Sequence, residues 1–183
     1  MKVTETKLKG CFILQPRVFE DERGYFYESY NHKAFCEAIG EEVNFVQDNQ
    51  SFSKKGVLRG LHFQKGEHAQ AKLVRVLEGC VLDVAVDLRK DSETYGQHVS
   101  VELTSDNKKQ LFIPRGFAHG FVVLSDTAQF FYKCDNYYNQ EAEDGILFSD
   151  KELNINWYLP FEELIISEKD LILLELSKQK TQS

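Results

Sequence analysis

Short stretches of alternating apolar and polar residues recur along most of the chain, and turn-forming residues separate them. The pattern predicts strands at residues 11–14, 25–30, 45–53, 57–63, 71–77, 81–88, 98–103, 111–113, 121–124 and 128–134. Helical patterns occupy residues 32–39, between Asn31 and Gly40 as caps, and residues 167–176. Many short strands with few helices favour an antiparallel sandwich or barrel, and we expect one domain over residues 1–183.

Charge and composition exclude several classes of partner. The net charge of −7 argues against a general nucleic-acid binder, which needs a basic surface for phosphate contacts. The first ten residues, MKVTETKLKG, lack the apolar stretch of a signal peptide, and no apolar run is long enough to span a membrane. The four cysteines (Cys11, Cys36, Cys80 and Cys134) form no C-x-x-C pair, so we expect reduced thiols and a cytoplasmic location.

The segment VLRGLHFQ, residues 57–64, carries polar groups on an apolar strand. Burial of such groups is costly unless they are paired, so they usually have a structural or chemical reason to be there. Strict alternation places His62 and Gln64 on one face of the strand and Arg59 on the other. Arg59 and His62 can therefore serve one site only if the strand is irregular, and Gly60 could host a bulge.

Three ring-bearing side chains each allow a structural and a chemical interpretation. His62 is either a satisfied structural histidine or a general base, because imidazole titrates near neutral pH. His119 follows the turn residues Pro114 and Gly116 and either holds backbone groups or belongs to a site. Tyr132 either packs in the core or acts as a general acid.

The sequence also allows two interpretations of each charged candidate residue. Lys72 shares a strand face with apolar residues, so it is either an exposed edge lysine or a cation that points inward. Arg23 and Arg59 are either solvated charges or a pair of phosphate clamps. Asp170 stands three residues after Ser167 and either completes a capping box or orients a histidine.

The sequence also contains parts of a metal-binding pattern. Residues 114–119 have the pattern Pro-x-Gly-x-x-His, which resembles one metal motif of the cupins, and Gly60-x-His62 resembles part of the other. Gln64 stands where that second motif normally supplies another histidine. A facial triad of His62, Glu67 and His119 stays an alternative, but we predict no metal.

Six segments together resemble the dTDP-4-dehydrorhamnose 3,5-epimerases, a family of cupin-like jelly rolls. They are FEDERGYFYESYN, FVQDNQSFSKKGVLRGLHFQ, AKLVRVLEGCVLDVAVDLRKDSETYG, LFIPRGFAHGFVVL, FYKCDNYYNQEAEDGI and ISEKD, and they span residues 19–170. The resemblance implies a mostly β, antiparallel jelly-roll sandwich or barrel with a few short helices, one near the C-terminus. It also implies a homodimer with strand exchange and a site close to the partner chain.

The resemblance implies epimerisation at C3 and C5 of dTDP-4-keto-6-deoxy-D-glucose, giving dTDP-4-keto-L-rhamnose for dTDP-L-rhamnose biosynthesis. Both protons are alpha to the C4 ketone, so their removal gives an enolate whose oxygen needs a positive partner. By resemblance His62 is the base and Asp170 orients it. Lys72 lies by the oxyanion, and Tyr132 returns a proton to the opposite face. No cofactor is implied, because the substrate carries its own electron sink.

The resemblance also assigns the substrate-binding residues. Arg23 and Arg59 would hold the diphosphate, and Tyr138 would stack on thymine. The other implied binding residues are Glu28, Gln47, Asn49, His119, Glu143 and Lys169.

Three rival functions stay open. An epimerase acting at C3 or C5 alone, or on another nucleotide sugar, is the nearest; a metal-dependent cupin and a catalytically silent sugar-nucleotide binding module are the others. The chain departs from the family pattern at residues 148–151 and 155–160, so the loop geometry there is not predicted.

Overall fold

The computed structural model describes residues 1–179 and is built mainly from short strands. The strands are β1 (Lys2–Glu5), β2 (Phe12–Gln15), β3 (Phe19–Asp21), β4 (Gly24–Phe26), β5 (Gln47–Lys54), β6 (Val57–Gln64), β7 (Lys72–Glu78), β8 (Cys80–Asp87), β9 (His98–Thr104), β10 (Gln110–Ile113), β11 (Phe117–Val123), β12 (Thr127–Cys134), β13 (Glu143–Gly145) and β14 (Ile165–Ile166). The helices are α1 (His32–Ile39), α2 (Glu168–Leu171) and α3 (Leu176–Gln179). None of these helices has the length and apolarity needed to cross a bilayer.

The strands form two large sheets with open edges. The first sheet has the order β1-β2-β10-β7-β12-β5, and the second has the order β13-β6-β11-β8-β9 with β14 added alongside β6. Neighbouring strands are antiparallel except β14, which runs parallel to β6. The hairpin of β3 and β4 stands apart from both sheets. The predicted antiparallel jelly-roll fold is thus confirmed, as a sandwich whose sheets do not close.

The main core lies between the two sheets. Val74, Leu111 and Phe130 of the first sheet pack with Ala85 and Phe121 of the second. A second cluster covers the outer face of the second sheet, where the chain after β13 folds back against it. Facing sheets bury alternate residues of each strand, which is the periodicity seen along the sequence.

Helix α1 matches the predicted segment residue for residue, whereas the C-terminal helix does not. The Asn31 side chain accepts a hydrogen bond from the Ala34 N–H, and Gly40 ends α1 with φ of 75°. The prediction of one helix over residues 167–176 is wrong, because the chain is helical only in α2 and then again in α3. Leu174 between them forms a parallel bridge with Ile146, so tertiary pairing overrides the local helical pattern.

Strand β6 is irregular at Gly60, which is the condition that the sequence set for Arg59 and His62 to serve one site. His62 lies opposite His119 and Arg59 lies opposite Phe121, so two residues of β6 face Gly120 alone. Gly60 has φ of 132°, and a Cβ there would lie 2.5 Å from the Gly120 Cα. The extra residue shifts the alternation by one position, which brings Arg59 and His62 to the same cavity.

Candidate active site

A cavity of about 690 Å³ opens between the two sheets and collects most of the predicted site residues. The second sheet contributes Arg59, His62 and His119; the first contributes Asn49, Lys72 and Tyr132; and α2 contributes Lys169 and Asp170. Polar side chains from both sheets therefore converge on one space that Phe121 and Phe130 make partly apolar.

His62 is paired with the carboxylate of Asp170. The His62 Nε2 lies 2.6 Å from the Asp170 Oδ1, and the Gly60 N–H donates to the Asp170 Oδ2 at 3.2 Å. Burial tends to raise the pKa of Asp170, but the hydrogen bonds from His62 and Gly60 outweigh it and hold the pKa below the usual 3.8. An ionised carboxylate only accepts, so we assign the proton to Nε2, which leaves a lone pair on Nδ1.

One turn of helix places this carboxylate. The Ser167 side chain caps α2 by accepting from the Asp170 N–H at 3.2 Å. The Asp170 carboxylate crosses to β6, where it contacts His62 and Gly60. Ser167 therefore has the predicted capping role, while Asp170 contacts a histidine.

Lys72 and Tyr132 lie together on the opposite wall. They belong to neighbouring strands of the first sheet, and the Lys72 Nζ lies 5.8 Å from the centre of the Tyr132 ring. Burial lowers the pKa of Lys72, although Cys134 and Asp83 partly offset it. Burial raises the pKa of Tyr132. The phenol therefore keeps its proton at neutral pH, and the desolvated ammonium would gain from a nearby anion.

His119 is held by a buried carboxylate that the sequence did not single out as a site residue. Its Nε2 lies 2.8 Å from the Asp83 Oδ1, and both side chains are almost fully buried. Burial lowers the pKa of His119 despite the opposing effect of Asp83, so the ring is mainly neutral at pH 7. The only signal in the sequence was an aspartate in line with the buried residues of β8.

The remaining binding candidates close to the cavity form a hydrogen-bonded rim. The Lys169 Nζ lies 2.6 Å from the Glu143 Oε1, and the Tyr138 hydroxyl donates to the Glu143 Oε2 at 2.8 Å. The Gln47 side chain accepts from the Tyr138 N–H and donates to the Asn49 side chain. These contacts join residues of both sheets and α2 at the cavity mouth.

The two arginines predicted to clamp a phosphate lie apart in the single chain. Arg59 lines the cavity, and its Nε donates to the Ser53 hydroxyl at 3.2 Å. Arg23 lies in the β3–β4 turn, ion-paired with Asp21 and with 85% of its side chain exposed. Glu28 follows the same hairpin and is exposed. Neither Arg23 nor Glu28 is among the residues that line the cavity.

The alternative facial triad does not assemble. His62 and His119 face each other across β6 and β11, but the Glu67 side chain is 90% exposed in the turn after β6. Gln64 accepts a hydrogen bond from the Asn139 N–H and so fastens the loop before β13. Within residues 1–179, one group of three histidine, cysteine or acidic side chains is close enough to share an ion, and it consists of His32, Cys36 and Glu42.

Known proteins match this chain over almost its full length. The family model for dTDP-4-dehydrorhamnose 3,5-epimerase matches residues 5–178. The enzyme of that name from Shigella flexneri is 55% identical over 171 residues, which are 93% of each chain. The crystal structure of the Elizabethkingia anophelis enzyme superposes with a TM-score of 0.95 at 58% identity and covers 98% of each chain. The Legionella pneumophila epimerase, solved with dTDP-4-keto-L-rhamnose, has a TM-score of 0.92 at 48% identity, covering 96% of this chain and 93% of its own. The chain thus belongs to the dTDP-4-dehydrorhamnose 3,5-epimerase family.

Proposed function

We propose that this chain epimerises C3 and C5 of dTDP-4-keto-6-deoxy-D-glucose to give dTDP-4-keto-L-rhamnose, as a step of dTDP-L-rhamnose biosynthesis. Family membership supports the reaction, and the Legionella relative was solved with that product. The observation that carries the mechanism is the placement of His62 and Tyr132 on different sheets that border one cavity. A base on one wall and an acid on the other are what inversion of a carbon centre requires.

His62 is the proposed base. Its Nδ1 takes the proton from C3 or C5 while the electron pair of the C–H bond moves into the enolate and onto the C4 oxygen. Asp170 stabilises the imidazolium that forms, because it is buried, ionised and hydrogen-bonded to Nε2. General base catalysis of this kind contributes about 10²- to 10⁴-fold to a rate.

Lys72 and Tyr132 complete the proposed cycle from the other wall. The Lys72 ammonium lies beside the oxyanion, where burial makes the charge interaction stronger than in water. The Tyr132 hydroxyl then protonates carbon from the opposite face, and the enolate returns to the ketone. His62 gives its proton to water and the phenolate of Tyr132 takes one back, so the enzyme is restored.

The nucleotide half of the substrate is assigned to the cavity mouth. Arg59 holds phosphate oxygens, since its guanidinium lines the cavity and its Nε is fixed by Ser53. Tyr138 is half-exposed at the rim and offers a ring face to the base. Local cations allow an acidic protein to bind a dianion, because the field near the site depends on the nearest charges.

We propose a homodimer in which the hairpin of one chain completes the site of the other. The hairpin exposes Phe19, Tyr25 and Phe26 to 51%, 58% and 71%, an apolar surface typical of an interface. It also carries Arg23, and Glu28 follows it, both away from the cavity of their own chain.

Mixing two inactive variants tests this shared site. Arg23→Ala and His62→Ala each damage every site in a homodimer, but a mixed dimer contains one site with both native residues. We expect activity to return when the two variants are unfolded and refolded together. Failure to recover activity, with mixed dimers present by mass spectrometry, would contradict a shared site.

We also propose a cytoplasmic location. All four cysteines are free thiols in the structure, and none is bridged to another. Unbridged thiols are typical of reducing compartments. Fractionation of the native cell, with the chain detected by antibody, tests this.

Product identity tests the proposed reaction. The purified chain is incubated with dTDP-4-keto-6-deoxyglucose, and the sugar is identified by NMR from its ring coupling constants. We expect the L-rhamno configuration, inverted at both centres. A sugar inverted at C3 or C5 alone would instead identify a single-centre epimerase, and an unchanged sugar would contradict the reaction.

A further inference from the structure

A group of metal-ligating side chains lies on α1, outside the cavity. His32 and Cys36 are four residues apart, which places them on one face of the helix. Gly40 ends the helix, and the chain turns back so that Glu42 reaches the same face. We call His32, Cys36 and Glu42 the α1 cluster; their candidate ligand atoms all lie within 4.8 Å of one another.

The spacing of these atoms is close to that of a tetrahedral zinc site. Zinc bonds of about 2.3 Å to sulfur and about 2.0–2.1 Å to nitrogen or oxygen require ligand separations of about 3.6 Å for S···N and about 3.4 Å for N···O. The His32 Nε2 lies 4.0 Å from the Cys36 Sγ and 2.9 Å from the Glu42 Oε1. The Cys36 Sγ also lies 3.8 Å from the His32 Nδ1, so a shared ion requires the exposed His32 ring to turn its Nε2 toward the sulfur and the exposed Glu42 side chain to move outward.

The groups around the cluster already suit a bound ion. The Tyr30 hydroxyl lies 3.3 Å from the His32 Nδ1, so it can accept the Nδ1 proton and leave Nε2 for the metal. Ring contacts with Phe35 and Phe45 hold Tyr30 in place. The backbone of Val43 fixes the Cys36 sulfur: the Val43 N–H donates to the Sγ at 3.5 Å, and the thiol donates to the Val43 carbonyl oxygen at 3.9 Å.

We propose that the α1 cluster binds one Zn²⁺ through the His32 Nε2, the Cys36 Sγ and a Glu42 carboxylate oxygen. A thiolate with an imidazole selects zinc over magnesium or calcium, which prefer oxygen alone. The side chains of His32 and Glu42 are 44% and 67% exposed, so water can take the fourth position. The ion links α1 to the segment after it, and its binding displaces the thiol proton of Cys36.

The first experiment measures zinc affinity on the whole protein after removal of metal with a chelator. Zn²⁺ is titrated in competition with a chromophoric indicator, and we expect one ion per chain. Cys36→Ser should weaken binding more than about 10-fold, and Tyr30→Phe about 10-fold, the lower end for loss of a group that supports a ligand. The matched control is Cys80→Ser, which alters a free cysteine outside the cluster and should leave the affinity unchanged.

A second readout identifies the sulfur ligand directly. Co²⁺ in place of Zn²⁺ should give a thiolate-to-cobalt charge-transfer band in the native protein and in Cys80→Ser, and no such band in Cys36→Ser. Circular dichroism confirms that each variant is folded, and His32→Gln provides a second variant if Cys36→Ser is not. The site would be overturned if folded Cys36→Ser or His32→Gln bound zinc as tightly as the native protein does. A cobalt spectrum of the native protein without the band would also overturn it. Epimerase activity should be the same in all these variants, so either result leaves the proposed reaction to be judged separately.

Discussion

Two histidines line the cavity, and each is held through Nε2 by a buried carboxylate, yet their surroundings suit different tasks. The His62 side chain is 30% exposed, whereas that of His119 is only 7% exposed. A base must pass its proton to water after each turnover, which the more open His62 can do. His119 is neutral and enclosed, so it is suited to accept a hydrogen bond from a sugar hydroxyl.

A residue's place at the cavity was predictable where a polar side chain interrupts an apolar pattern. Lys72 among valines and His62 on an apolar strand are costly to bury, and both line the cavity. Asp83 gave a weaker signal, because an aspartate in line with apolar residues could equally have satisfied backbone groups. Its contact with His119 depends on the pairing of β8 with β11, which the local sequence does not encode.

The first prediction concerns the proposed acid. Tyr132→Phe keeps the ring but removes the hydroxyl, and kcat should fall about 10²- to 10⁴-fold. Proton removal by His62 should persist, so deuterium from the solvent should enter the substrate without inversion. NMR of the unreacted sugar in deuterated water measures this, with Tyr137→Phe, an exposed tyrosine outside the cavity, as the control. Normal turnover by Tyr132→Phe would assign the acid to another group.

The second prediction concerns Asp83. Asp83→Asn replaces a charge-assisted hydrogen bond to His119 by a neutral one, which is worth about 1 kcal/mol less. We expect KM to rise about 5- to 10-fold while kcat changes little, because His119 is assigned to sugar binding. Asp87→Asn is the matched control, since Asp87 is also buried on β8 but its carboxylate accepts from Arg89, Ser92 and Thr94, none of which lines the cavity. A loss confined to kcat would place His119 in the chemistry instead.

At the scale of the elements, the bulge in β6 is what allows one strand to supply two site residues. Gly60 and Gly120 approach so closely that neither tolerates a Cβ without displacement of backbone. The sequence indicated this irregularity, because only a break in alternation could join Arg59 and His62. It did not indicate the end of α2, since SEKDLILLEL has a helical pattern and the bridge from Leu174 to Ile146 is a long-range contact.

The third prediction tests the bulge. In Gly60→Ala the new Cβ would lie 2.5 Å from the Gly120 Cα, and the alanine would also have to adopt a φ of 132°. The free energy of unfolding should therefore fall by several kcal/mol. Gly24→Ala has a similar φ of 122° with nothing within 4 Å, so it carries only the backbone strain of about 1–3 kcal/mol. Urea unfolding of both variants separates the contact from the strain. Equal losses in the two variants would mean that the close approach to Gly120 is unimportant.

At the scale of the whole molecule, the site exists because two sheets face each other. His62 and the helix that carries Asp170 come with the second sheet, and Lys72 and Tyr132 come with the first. The many short strands predicted an antiparallel sandwich or barrel, and the resemblance to the family supplied the candidate site residues. The position of the β3–β4 hairpin relative to the cavity could not be predicted, because it depends on how separate elements pack.

The fourth prediction concerns acid stability away from the cavity. Burial tends to raise the pKa of Asp87, but bonds from Arg89, Ser92 and Thr94 lower it from 3.8 to about 2. A depressed carboxyl pKa stabilises the fold above 3.8, and this contribution is lost as the pH falls toward about 2. Asp87→Asn should therefore lower the free energy of unfolding by about 2 kcal/mol at neutral pH, at 1.36 kcal/mol per pKa unit.

Urea unfolding of Asp87→Asn and of the unaltered chain, repeated at decreasing pH, measures this difference. The gap between them should narrow below 3.8, because the unaltered chain loses the contribution that the variant already lacks. A gap that is constant with pH would show that it arises from packing rather than from the charge of Asp87.

The most direct test of the proposed chemistry is proton exchange during turnover. The chain is incubated with dTDP-4-keto-6-deoxyglucose in deuterated water, and the sugar is examined by NMR. We predict deuterium at both C3 and C5, because each proton is removed by His62 and replaced from solvent through Tyr132. Deuterium at one carbon would limit the reaction to a single centre. An absence of exchange with nucleotide binding intact would contradict the reaction proposed for this cavity.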